Sequence, residues 1–352
     1  MNAPTNASKL LQVDYPIIQA PMLGVTTPDM VAAIAHEGGL GSLPVGGLSP
    51  EKTLQLIKET KSKSSKSFSV NLFAHEITAS VDTDELNRMQ DFLEKVCLEY
   101  NLPFERKEIA DFKFYSYEDQ IDILINENIP IVSFTFGAMK SDVINRFKRQ
   151  GTVLIGTATD VAEAKLLADS GVDAIVAQGI EAGGHRGSFL PDRPLPQVGL
   201  MSLLPQIADT VSIPVIAAGG LFDNRTIEAA FTLGAAAVQL GSIFIASEES
   251  AASEAYKEAV LHSDETSTEL TRAFSGRWAR GIRNAFMERM KTSELSIPYY
   301  TYQNSLVAPL RAYAQTHNLS DLIALWAGQS AFRSKRGTSG DIFRSLVQSL
   351  SL

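Results

Sequence analysis

The sequence predicts an α/β protein, a (β/α)8 TIM barrel carrying a small helical second domain. Three observations lead there. Eight short apolar or β-branched runs recur along the chain, glycine or proline bounds each of them, and helical patterns follow several. Near-continuous apolar character suits parallel strands covered on both faces, and eight such strands close a barrel.

In order, the runs begin at Ile17, Gly39, Phe68, Ile131, Thr152, Ala174, Pro214 and Ala236. Capping chemistry marks the helices between them. After the run at Thr152, Asp160 stands three residues before Glu163 as a helix start, and Gly171 supplies a left-handed stop. After the run at Pro214, Asp223 or Asn224 opens a helix that Gly234 ends.

Two segments fall outside the alternation. Residues 75–130 are long for a crossover and include a helix with Leu86, Met89, Leu93, Val96 and Tyr100 on one side. Cys97 shares that side and reads as a buried small hydrophobe. Residues 247–318 are polar and helical, without a strand signal of comparable strength. They are expected to form the covering domain, leaving 1–246 and 319–352 as the barrel. The tail from Leu322 reads as an apolar helix.

Composition narrows the function classes. The 352 residues are 45% hydrophobic and 20% charged, with a net charge of -9, so a basic face for nucleic acid is not expected. A single cysteine excludes an intrachain disulfide and fits a reducing, cytoplasmic setting. The first ten residues have neither a basic nor an apolar signal region and read as the start of a mature protein. The uncharged stretch 229–247 is broken by Thr232, Gly234, Gln239, Gly241 and Ser242, so no membrane span is expected.

In such barrels the chemistry sits at the C-terminal ends of the strands. The runs from Pro214 and Ala236 finish in Gly219-Gly220 and in Gln239-Leu240-Gly241-Ser242, where glycine lets main-chain N–H groups approach an anion. A phosphate site is expected there. Asn71, Gln178 and Gln239 add neutral amides at three strand ends, suited to the edge of a flat heterocycle. With the phosphate loops they favour FMN, and no Gly-x-Gly-x-x-Gly fingerprint follows the first strand.

His185 follows two glycines after the run at Ala174, where an imidazole can act as a base. Glu181 lies four residues before it, but Gly183 and Gly184 oppose the helix that would align the two on a metal, so none is expected. Arg272, Arg277, Arg280 and Arg283 are candidates for an anion clamp on a substrate carboxylate, although a solvated or salt-bridged face is the commoner fate of such charges.

Assembled in order, QAPM at Gln19, VNLF at Val70, FTFG at Phe134 and the long run from Gly156 to Phe189 resemble the nitronate monooxygenase family, in particular its class I members. The similarity spans nearly the whole chain, and the long run is its most specific part. It implies an FMN barrel in which His185 acts as base on a nitroalkane or beside its nitronate. It also implies that Asn71, Gln178, Gly183, Gly220 and Gln239 to Ser242 hold FMN, with Met22 near the ring. LWAGQ at Leu325 looks like a further family element, with Trp326 and Gln329 closing over the flavin. The implied reaction joins a nitronate, propionate 3-nitronate above all, with O2 to give a carbonyl compound and nitrite. Two rivals share parts of this pattern: an FMN-dependent enoyl-acyl-carrier-protein or quinone reductase, and an FMN-binding sensor without catalysis.

Overall fold

The computed structural model describes residues 6–77, 81–191, 193–348 and 350. The outer limits expected for the barrel, 1 and 352, lie outside them. All eight expected strands form: β1 (Ile17–Gln19), β2 (Ser42–Pro44), β3 (Ser69–Phe73), β4 (Ile131–Thr135), β5 (Val153–Ala158), β6 (Ala174–Gln178), β8 (Val215–Ala218) and β9 (Ala237–Leu240). Between β6 and β8 the chain adds a two-residue strand, β7 (Gly184–His185).

The eight long strands pair in parallel in the order β1-β9-β8-β6-β5-β4-β3-β2, and a bridge from Ile18 to Leu40 brings the two ends together. This is a (β/α)8 barrel. Strand alternation divides its apolar residues into two layers. Ile18, Leu40, Ile131, Ile155, Val176 and Ile216 form one cluster, and Ala7 and Leu11 of the helix Asn6–Leu11 join it. The alternate set, including Val70, Val132, Leu154, Ile175 and Val238, packs in a second cluster with the surrounding helices. The first layer fills the barrel interior and the N-terminal helix packs onto it, so open space is left at the strands' C-terminal ends.

The expected caps are present. Asp160 accepts from Glu163 N, and Gly171 has φ +93°. Asp223 caps the helix Asn224–Thr232, followed by Gly234 at φ +100°. Cys97 is buried and unpaired on the helix Thr83–Glu99.

Two expectations change. The segment 247–318 holds the helices Glu254–Leu261, Ala285–Thr292 and Tyr300–Thr316, but also an antiparallel hairpin, β10 (Thr268–Thr271) and β11 (Ala279–Ile282). Each of its strands has four residues, too short to stand out from polar surroundings. Residues 322–330 of the tail are not helical; the helix Ser339–Val347 comes later. This stretch runs beside β11, where Ile282 N donates to Leu325 O and Trp326 bridges Gly281, so its main-chain groups are committed to sheet pairing. Its Leu322, Ile323, Leu325 and Ala327 are nonetheless buried, which is why the composition suggested an apolar helix.

Candidate functional site

The strands' C-terminal ends open into a cavity of about 490 Å3, within the usual range for small-molecule sites. All ten residues singled out as catalytic or cofactor-binding line it: Met22, Asn71, Gln178, Gly183, His185, Gly220, Gln239, Leu240, Gly241 and Ser242. Trp326 lines it too. Gln329 does not; its N–H donates to Glu181 O at 3.0 Å and fixes the tail against the loop after β6.

That loop carries His185, and several groups hold it. β7 pairs with β11, setting His185 opposite Ala279. The buried Arg186 donates to Gly179 O at 2.6 Å and Gln178 O at 3.0 Å. Glu181 accepts from Leu200 N at 2.8 Å, capping the helix Leu200–Ala208, whose own N-cap, Gly199, has no side chain to do so. Gln178 donates to His185 O at 3.0 Å and accepts from Gly187 N at 2.9 Å. The Gln178 amide therefore braces the loop that carries His185, while one N–H and one lone pair remain for a ligand. Gly183 packs so tightly that a Cβ would lie 2.4 Å from Gly328 N.

His185 sits in an aromatic cage. Its ring centroid is 5.6 Å from Phe136, 5.9 Å from Tyr300 and 5.4 Å from Trp326. Nε2 lies 2.7 Å from Ser275 Oγ, and Nδ1 has no hydrogen-bond partner among the described residues. Burial, then the guanidiniums of Arg277 and Arg311, pull the imidazole down to about 3, so it is neutral near pH 7. The imidazole is half-buried, with one side facing the cavity. Phe136 holds φ +76°, an uncommon conformation for a bulky residue. The Arg277 guanidinium lies 4.2 Å from its ring centroid.

Other polar groups differ in what they leave free. Asn71 donates to Ser133 Oγ at 2.9 Å, whereas the Gln239 side chain has no hydrogen bond within the described chain. Gly220 has φ +71°, but Gly241 has φ -116° and a Cβ there would make ordinary contacts with Ala20 and Met22. Among the described residues no loop hydrogen bond takes the N–H of Gly220 or Gly241, and the N–H of Ser242 opens a short 3-10 turn. This is a cradle of free donors without side chains in the way, and it fits a phosphate. No group of three or more His, Cys, Asp or Glu among the described residues could hold a metal ion. No helix there is long and apolar enough to cross a membrane.

None of the four candidate clamp arginines lines the cavity. Arg272 donates to Gly276 O, Arg277 to Ser188 O and Arg280 to Ile180 O; Arg283 contributes its main-chain N–H to Ser267 O. The cavity is instead lined by Arg311, with Tyr300 and Asn304 from the same helix. Sequence reasoning missed all three, as it missed Ser275. The helical spacing of Tyr300, Asn304 and Arg311 put them on one face, but nothing in the sequence turned that face inward.

The chain is similar to known proteins along nearly its whole length. The family model for nitronate monooxygenase matches residues 5–349. A probable nitronate monooxygenase from Staphylococcus aureus (strain Newman) is 40% identical over 345 residues, covering 98% of this chain and 96% of that one. Among solved structures, nitroalkane oxidase from Streptomyces ansochromogenes superposes with a TM-score of 0.88 at 33% identity, covering 98% and 97% of the two chains. FabK from Thermotoga maritima gives a TM-score of 0.77 at 27% identity, with 99% and 96% covered.

The buried imidazoles predict a pH dependence of stability. His75, packed between Phe136 and Tyr300, is pulled down to about 4 by burial and by Arg277. Both His75 and His185 bind protons more readily unfolded than folded, so stability falls as pH drops below about 6.5, the unfolded value, until the folded groups titrate near 4 and 3. Urea unfolding at pH 7 and pH 5 should show the loss. His75→Phe should reduce it by on the order of 1–2 kcal/mol; an identical loss in the variant would contradict this assignment.

Proposed function

Because the chain belongs to the nitronate monooxygenase family, we propose that this oxidoreductase is FMN-dependent and joins alkyl nitronates, propionate 3-nitronate among them, with O2 to give a carbonyl compound and nitrite. Nitroalkanes are the neutral counterparts of these substrates. The observation that carries the reading is His185, neutral in its aromatic cage beneath guanidiniums whose hydrogen bonds go to main-chain carbonyls and neutral side chains.

In this reading Gly220, Gly241 and Ser242 cradle the phosphate. Asn71, Gln178 and Gln239 meet the edge of the heterocycle, and Met22, Gly183 and Leu240 shape the wall beside it. FMN supplies the electron acceptor. Ser275 sets the tautomer: its hydroxyl can donate to Arg277 O at 3.3 Å and so accept Nε2–H from His185, leaving the Nδ1 lone pair free. A nitroalkane gives its α-proton to Nδ1, and the nitronate formed in the same step pairs with the resulting imidazolium and offsets the burial that otherwise disfavours it; a nitronate arrives without that proton and is only oriented. The field that disfavours an imidazolium favours an anion, so the site is matched to the nitronate. Trp326 shields the reacting centre from water. The cytoplasmic setting rests on the single cysteine, Cys97, buried and unpaired.

A nicotinamide-driven enoyl-acyl-carrier-protein or quinone reductase would need no group to take an α-proton, and a sensor would leave His185 without a task.

Heat-denatured holoprotein should release FMN on chromatography, and Gly220→Val should lower the FMN content because a β-branched residue is strained at φ +71°. Release of FAD, or unchanged retention in the variant, would overturn the cofactor site. At matched flavin content, His185→Asn should slow nitroethane turnover by roughly 10² to 10⁴, the usual worth of a positioned base. Ethylnitronate should suffer far less. Equal losses in oxygen uptake on the two substrates would show that His185 binds the anion instead of removing a proton.

A further inference from the structure

The helix Tyr300–Thr316 turns Tyr300, Asn304, Arg311 and Gln315 toward the cavity. At 100° per residue these four positions fall within a sector of about 60°. Arg311 is largely buried, and its guanidinium stays protonated at neutral pH although burial pulls it down to about 10. Both of its recorded hydrogen bonds leave from one nitrogen, to Asn304 O at 3.0 Å and Asn304 Oδ1 at 2.8 Å. Its Nε is shielded and without a partner among the described residues. The other terminal nitrogen, Nη1, has no recorded partner, so its two N–H donors remain for an anion. A cation held this way is costly until an anion meets it.

We propose that Arg311 is the residue that determines specificity for the chain of the substrate, gripping a carboxylate remote from the nitronate, while Asn304 aims the guanidinium. The proposal rests on the nitronate reading and adds the residue that distinguishes charged from uncharged chains. Placement supports a remote group. Tyr300 packs on His185, where the reacting carbon must lie, and Asn304, which holds the guanidinium, stands one helical turn further on. That offset is roughly 6 Å, the span of a short carbon chain between the two anionic ends. The FMN cradle at Gly220 and Gly241 has its own donors, so Arg311 is not needed for the phosphate. Arg272, Arg277 and Arg280 are engaged with main-chain carbonyls, and neither they nor Arg283 belong to the lining.

The test compares holoprotein with Arg311→Met and Arg311→Lys, using propionate 3-nitronate and butyl nitronate, and measures kcat and KM for each. In Arg311→Met the preference for the carboxylated substrate, read as the ratio of kcat/KM values, should fall by about 10²-fold, mainly through KM. Arg311→Lys should recover part of it. Calorimetric titration with succinate, which needs no turnover, should show weakened binding in Arg311→Met at unchanged FMN content. An unchanged ratio together with unchanged succinate binding would overturn the proposal, as would equal loss on both nitronates. If the parent binds succinate through Arg311 yet oxidises no nitronate, the anion site stands and the nitronate reading alone falls.

Discussion

Positive charge buried without a direct carboxylate hydrogen bond is the constraint around which this cavity is arranged. Arg186, Arg277, Arg280 and Arg311 donate to Gly179 O, Ser188 O, Ile180 O and Asn304 O, and their recorded side-chain partners are neutral. Main-chain carbonyls carry partial charge only, and the carboxylates of Glu163 and Glu181 act on Arg186, Arg277 and Arg280 through space, without a direct bond. In a chain with a net charge of -9, this sets the guanidiniums of Arg277 and Arg311 close enough to act on His185 at the cavity. Burial, and after it the charges of Arg277 and Arg311, keeps His185 unprotonated; the same charges favour an anionic substrate, and the hydrogen bonds of Arg186 shape the loop that carries His185.

The barrel makes that arrangement possible. Its interior is packed with branched side chains, and the helix Asn6–Leu11 joins this layer, so ligand space is left at the strands' C-terminal ends. The loop after β6 is too rich in glycine to hold a shape alone. It is fixed from three directions: by β11 through strand pairing, by Arg186 through the carbonyls of β6's end, and by the Leu325–Gln329 strap through Gln329 N and the close contact of Gly183 with Gly328. Gly137, at the end of FTFG, shows similar packing: a Cβ there would sit 2.1 Å from Ala74 O. These glycines permit close approach of main chains, whereas Gly220 answers a positive φ.

What the sequence made legible follows the range of the interactions involved. Strands, caps and glycine loops are local, and β1 to β6, β8 and β9, Asp160, Gly171 and Asp223 form as expected. The ten lining residues were also readable, since each closes a recognisable strand or belongs to a continuous family motif. The hairpin β10–β11 and the extended tail were not, because their conformations are set by pairing with each other and with β7. Ser275 and Arg311 depend on the same distant packing. The arginine run offered a clamp by composition, but Arg272, Arg277 and Arg280 turn to main-chain carbonyls, two of them on the loop after β6, and the cation at the cavity comes from a helix some thirty residues later.

The central claim is that the cofactor in this cavity is reduced by an anionic carbon acid beside His185. Anaerobic stopped-flow mixing tests it most directly, with flavin absorbance followed after addition of ethylnitronate, NADH or NADPH in separate runs. The nitronate should bleach the flavin rapidly while neither nicotinamide does so at the same concentration. Rapid bleaching by NADH or NADPH, with the nitronate inert, would contradict the account and assign the barrel to a reductase.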